Sequence, residues 1–195
     1  MSRWLPLYLR SRRVPLAVTV SAAAVTVVGV TWRAFAGRPE VHTSLAVLTA
    51  VLVLAPLIST MSGDDDELES TAALRWPPRR ALHLAGIALV TFVLIAGAGP
   101  AGVDLGSAGQ ILRNSAGLAG LAGIGVALAG VQFAWLAPVV WAGVQAMGSP
   151  GHEMWSQMVF WLLQPAASRP SALLAGALAV TGLIAYAARI GRVTG

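Results

Sequence analysis

SAGLAGLAGIGVALAGVQFAWLAPVVWAGVQAM, residues Ser115 to Met147, runs for 33 residues without a charged side chain. A helix crosses a bilayer core with about 20 mainly apolar residues, in a range of roughly 17 to 25. The stretch is too long for one ordinary span and just long enough for two short ones. A break near Gly130 to Phe133 divides it into a fourth and a fifth helix; read unbroken, it would be one long tilted helix.

Working outward, four more apolar stretches complete an all-α, polytopic reading with six transmembrane helices. They are Val14–Phe35, Ser44–Met61, Ala81–Ala98 and Ser171–Ala188, which become the first, second, third and sixth spans. The first follows Arg10, Arg12 and Arg13 as a signal peptide would. It is longer than a signal core and the chain continues directly into a second span, so it reads as a retained helix. The composition agrees with a single transmembrane domain over residues 1–195. The chain is 56% apolar and only 11% charged, with a mean hydropathy of +0.73, whereas about a quarter of a soluble domain is charged.

The 13 basic residues, all arginine, set the expected orientation, because short cytoplasmic loops carry the excess of Lys and Arg. With both termini inside, Arg3, Arg10, Arg12, Arg13, Arg75, Arg79, Arg80, Arg189 and Arg192 fall on the cytoplasmic side. Arg33, Arg38, Arg113 and Arg169 fall outside. The net charge of +5 is thereby read as a topology signal, and no nucleic-acid partner is expected.

The second and third spans are joined by the most polar segment of the chain, SGDDDELESTAALRWPPRR, residues 62–80. Asp64 and Glu67 have capping-box spacing, acidic residues suit a helix N-terminus, and Trp76-Pro77-Pro78 would end a short helix. The segment reads as an acid-headed cytoplasmic helix of about ten residues, either a docking element for a partner in water or a merely solvated polar loop. Asp65, Asp66 and Glu69 loosely fit a DDxxE magnesium pattern. That chemistry needs a second acidic cluster, and the only other carboxylates are Glu40, Asp104 and Glu153, scattered elsewhere. No catalytic or metal site is therefore assigned. There is no Cys and no Lys, so cysteine-based sites and a P-loop are excluded and no cofactor is expected on this chain. His152 and Glu153 lack the second histidine of a zinc-protease motif.

Three further features complete the reading. In the fourth helix Ala119, Gly123 and Ala127 recur every fourth residue, with Ala116 and Gly120 beside them, which allows close helix packing. Residues 148–170 hold an apolar run too short to span. It suits a helix lying in or dipping into the outer interface, with Trp155 and Trp161 at headgroup level. Residues 1–13 read as a cytoplasmic interfacial segment, with arginines toward lipid headgroups.

This order of parts resembles the membrane (permease) subunits of ABC-2-type transporters. RNSAGLAGLAGIGVALAG followed by FAWLAPVVW, together with DDDELESTAALRWPPRR, is similar to small actinobacterial permease-like members. The resemblance implies a cell-membrane subunit of an ATP-driven transporter, an exporter, that works beside a separate ATP-binding ABC subunit and a second membrane subunit. It also implies that Asp64, Asp65, Asp66, Glu67, Glu69, Arg75 and Trp76 form the coupling surface toward the ATPase. Few polar residues (Thr19, Thr26, Gln132, Gln145) interrupt the apolar helices, so a hydrophobic or amphipathic cargo is expected. The competing readings are a non-transporting scaffold or regulatory subunit and, behind it, an intramembrane enzyme.

Overall fold

A computed structural model describes residues 9–62 and 76–188. Among these the chain is helical, without a strand. Residues 9–11 form a helical turn before α1 (Val14–Ala36). There follow α2 (Thr43–Ser59), α3 (Trp76–Ala96) and α4 (Ala108–Ala129). A 3₁₀ turn (Val131–Phe133) leads into α5 (Leu136–Met147), then a six-residue α6 (Met154–Val159) and α7 (Arg169–Ala187).

The uncharged stretch does break at Gly130, which adopts φ 86°, a left-handed value that glycine tolerates without cost. α4 begins well before that stretch, at Ala108, where the Ser107 hydroxyl accepts a hydrogen bond from Gln110 N at 3.4 Å. Arg113 is consequently inside α4, in its second turn, rather than in an outer loop. Trp76-Pro77-Pro78 stands in the first turn of α3, which suits proline because that turn has no use for the amides it lacks; the short helix expected before it lies outside the described residues.

α2 and α4 are the centre. α4 is 67% enclosed by protein, whereas α1 and α7 are enclosed over only 22% and α3 over 28%, which places those three at the periphery. α1 touches the bundle through one stripe of small residues, Ala17, Ser21, Val25 and Gly29, each four apart. Its Ser21 hydroxyl donates to the Val53 carbonyl of α2 at 2.7 Å. The outward faces carry Leu16, Val27 and Val30 on α1, Leu82 and Leu89 on α3, and Leu173 and Ile184 on α7, all more than half exposed. Leaving such side chains in water forfeits about 1.5–3 kcal/mol each relative to burial, so this periphery belongs in an apolar surrounding. α1, α3, α4 and α7 are long and apolar enough to cross a membrane, while α2 and the composite Val131–Met147 are shorter apolar helices.

α4 and α7 approach most closely, through glycine. A Cβ on Gly182 would lie 2.1 Å from the Gly120 carbonyl oxygen, and one on Gly123 would lie 2.7 Å from the Gly182 carbonyl oxygen. Such approach brings Cα–H groups against carbonyls, a contact available only to small residues.

Candidate functional site

Asp64, Asp65, Asp66, Glu67, Glu69 and Arg75 lie outside the described residues, as does the side chain of Trp76. What is defined is the pair of anchors from which their loop hangs, namely the end of α2 and the start of α3. At the α2 end the chain makes a tight turn, with Met61 N bonded to Ile58 O at 3.0 Å and the Thr60 hydroxyl donating to Leu57 O at 2.6 Å. The same Thr60 oxygen is 2.9 Å from His83 Nε2 on α3, which ties the two anchors together.

The Met61 carbonyl gathers two more elements. Tyr186 Oη, near the end of α7, donates to it at 3.1 Å. Arg12 Nη1 straddles Met61 O and Ser62 O at 3.4 and 3.5 Å, both long for hydrogen bonds. Arg12 reaches back because Arg13 takes a left-handed conformation, φ 53°, that turns the chain sharply before α1. Side-chain and backbone groups of α1's lead-in, α2, α3 and α7 thus converge on one point. Met61 and Tyr186 are each only 1% exposed, so a displacement there must be passed to neighbours rather than absorbed by solvent.

At the opposite end a second network fixes residues 148–168. Arg113 donates from Nη1 to Pro165 O at 2.9 Å and from Nη2 to Gln164 O at 2.7 Å. Its Nε and Nη2 both reach Asn114 Oδ1 at 3.1 Å. Asn114 Nδ2 then donates to Leu162 O at 2.9 Å, and Leu162 N donates to Gln145 Oε1 at 2.9 Å. Irregular backbone buried among apolar helices needs such partners for its polar groups. The chain from Phe160 onward therefore turns inward to meet them, and only Met154–Val159 of the expected interfacial helix is helical. Trp155 is 62% exposed, its indole N–H donating to the Glu153 carboxylate. Trp161, expected beside it at the headgroups, is wholly enclosed by protein. Its ring lies against Gly117, where a Cβ would come within 2.4 Å.

Of the expected packing residues, Ala119, Gly120 and Gly123 are buried and Ala116 and Ala127 half-buried. The row that meets α7 is Gly117, Gly120 and Gly123, spaced by three, against Ala175, Leu178 with Ala179, and Gly182. Gly117 and Gly182 were open to the same reasoning as their neighbours. Tyr186, Thr60 and Arg113 carry no local sequence signal, since the partners through which they join separate elements, Met61, His83 and the Gln164 and Pro165 carbonyls, are from 23 to 125 residues away.

No protein family, curated protein or solved structure matches the chain.

Proposed function

We propose that the chain is the membrane half of an ATP-driven exporter of the ABC-2 layout. In this reading six helices cross the membrane, α2 and the Val131–Met147 unit being short spans, and both termini are cytoplasmic. The 62–80 segment docks on a separate ATP-binding subunit, and a second membrane subunit completes the transport path. The observation that carries the proposal is the convergence at Met61, where a loop bearing five carboxylates is hung from a point tied to α7 through Tyr186 and, across Thr60 and His83, to α3. A push on the loop moves the ends of four membrane elements together. That is the mechanical requirement for a subunit driven from outside the bilayer, since packed interfaces pass on small shifts rather than deforming continuously.

The roles follow from position. Asp64, Asp65, Asp66, Glu67 and Glu69 present charge to the partner, with Arg75 and Trp76 at the helix start. Thr60, His83, Arg12 and Tyr186 transmit. The Arg113–Asn114–Gln145 network keeps the far end of the bundle rigid, so that motion at one end becomes rocking of helices rather than local bending.

Purification of the tagged full chain from its native membrane in mild detergent tests this reading. It is compared with a variant carrying Asp64, Asp65, Asp66, Glu67 and Glu69 as the matching amides. An ATP-binding subunit should accompany the native chain and be lost from the variant. Recovery of other proteins without any nucleotide-binding subunit would favour the scaffold reading instead.

A further inference from the structure

Left-handed residues bound α1 at both ends, Arg13 at φ 53° before it and Gly37 at φ 64° after it. A few residues at the margins of a rigid element are where a hinge takes up rotation. Between these points α1 rests on α2 through Ala17, Ser21, Val25 and Gly29, short side chains that raise little ridge to lock into a facing groove. The 2.7 Å bond from the Ser21 hydroxyl to Val53 O is the directional hold on that surface.

On its other flank α1 faces α3 across a furrow that the two helices scarcely bridge. The half near the 63–75 loop, beside Val18, Gly86 and Val90, encloses about 560 Å³. The far half, beside Ala22, Val30 and Val93, encloses about 430 Å³. The two ends of α1 are attached to different parts of the molecule. At the far end Arg33 Nη1 donates to Ala101 O at 2.6 Å, and Gly29 lies so close to Val103 that a Cβ there would be 3.2 Å from Val103 Cγ2. That end is fixed to the segment leaving α3. At the near end Arg12 reaches the carbonyls of Met61 and Ser62, so that end follows the close of α2 and the start of the loop.

Gly86 on the α3 wall has nothing within 4 Å of a Cβ position, which leaves room for a side chain of α1 to approach. In a membrane, apolar walls gain little by exchanging lipid tails for one another, because the tails are equally apolar. Separated and closed positions of α1 therefore lie close in energy.

We propose that α1 is a pivoting arm, whose far end stays with the segment after α3 while its near end swings across α2 toward Gly86. The swing closes the near half of the furrow to the adjoining leaflet. The arrangement described above is the open one, with the Ser21 bond made, and closing stretches that bond. The swing is a property of the chain alone. Where the transporter reading holds, the loop drives it through Arg12; where that reading fails, the arm still pivots.

The chain has no native cysteine, so nitroxide pairs can be placed on cysteines introduced at exposed positions away from the furrow lining. Pulsed dipolar spectroscopy of the full chain in liposomes, without any partner, compares Leu16 with Ala85 at the near end and Ala34 with Pro100 at the far end. The near pair should give two distances, the shorter from the closed arm, and the far pair one. Ser21→Ala should raise the ratio of short to long by about two- to tenfold, the equivalent of one hydrogen bond. Gly86→Phe, which occupies the furrow, should remove the short distance. Val18→Trp occupies it from the opposite wall and serves the same purpose should the glycine variant fold poorly. A single near distance unmoved by Ser21→Ala would overturn the proposal, as would a short distance that persists in both filled variants. Two distances at the far pair as well would also overturn it, since α1 would then shift as a whole without a pivot.

Discussion

Replacing Gly182 by alanine tests whether the glycine contact between α4 and α7 holds the bundle, and whether it also sets the junction at Met61. The new Cβ would stand 2.1 Å from the Gly120 carbonyl oxygen. To regain ordinary contact at about 3.5 Å the helices must part by roughly 1.4 Å, since both opposing groups are backbone and cannot rotate away. Overpacking of this kind costs about 1–3 kcal/mol, and the lost Cα–H to carbonyl contacts add about 0.5–1 kcal/mol each. Gly176 on the same helix has nothing within 4 Å of its Cβ position. There alanine should be neutral or stabilising by up to about 1 kcal/mol, the ordinary helix-propensity gain. Titration of detergent-solubilised protein with sodium dodecyl sulfate, followed by far-UV circular dichroism, measures both variants. The reasoning predicts a gap of about 2–4 kcal/mol between them. Equal stabilities would refute it. Because Tyr186 is one turn beyond Gly182 on the same face, the displaced helix should also lose the 3.1 Å bond to Met61 O, visible as faster amide exchange at residues 60–62.

The remaining predictions probe the two polar ends. Tyr186→Phe removes one buried hydrogen bond and should cost about 0.5–1.5 kcal/mol by the same titration, with no change in helix content. Arg113→Met leaves the carbonyls of Gln164 and Pro165 without their donor and should cost about 3 kcal/mol. Hydrogen exchange should then rise over residues 160–168 while α1 and α2 stay protected. The chain has no native cysteine, so single cysteines at Ser62 and Ser107 report topology directly. A membrane-impermeant maleimide should label them from opposite sides of the membrane, and labelling from one side would contradict the six-span arrangement.

The helical class and the Gly130 break were legible because both depend on local chemistry, in apolar runs of span length and a glycine where the backbone must turn. The start of α4 was not, because a charged residue served as the edge of a span. Arg113 violates that rule by finding its carbonyl partners 51 and 52 residues away, and no local pattern announces such a pairing. Trp161 was placed at the headgroups on the general behaviour of tryptophan near membrane edges. The fold instead offers it Gly117, and the absent side chain there makes room for the indole. Pro77 and Pro78 fit both the residues after a helix and the first turn of one; they stand in the first turn of α3, and the helix expected before them lies outside the described residues. The junction at Met61 depends on a tyrosine 125 positions away, which only the packed bundle brings into place.

The most direct test of the central claim is ATP hydrolysis by the complex purified with the native chain and reconstituted in liposomes, set beside complexes carrying Tyr186→Phe or Thr60→Val. The account predicts assembly in all three, with hydrolysis and transport uncoupled or slowed in both variants, because the loop is no longer tied to α7 or α3. Hydrolysis and transport identical in all three complexes would contradict it, since the junction at Met61 would then transmit nothing.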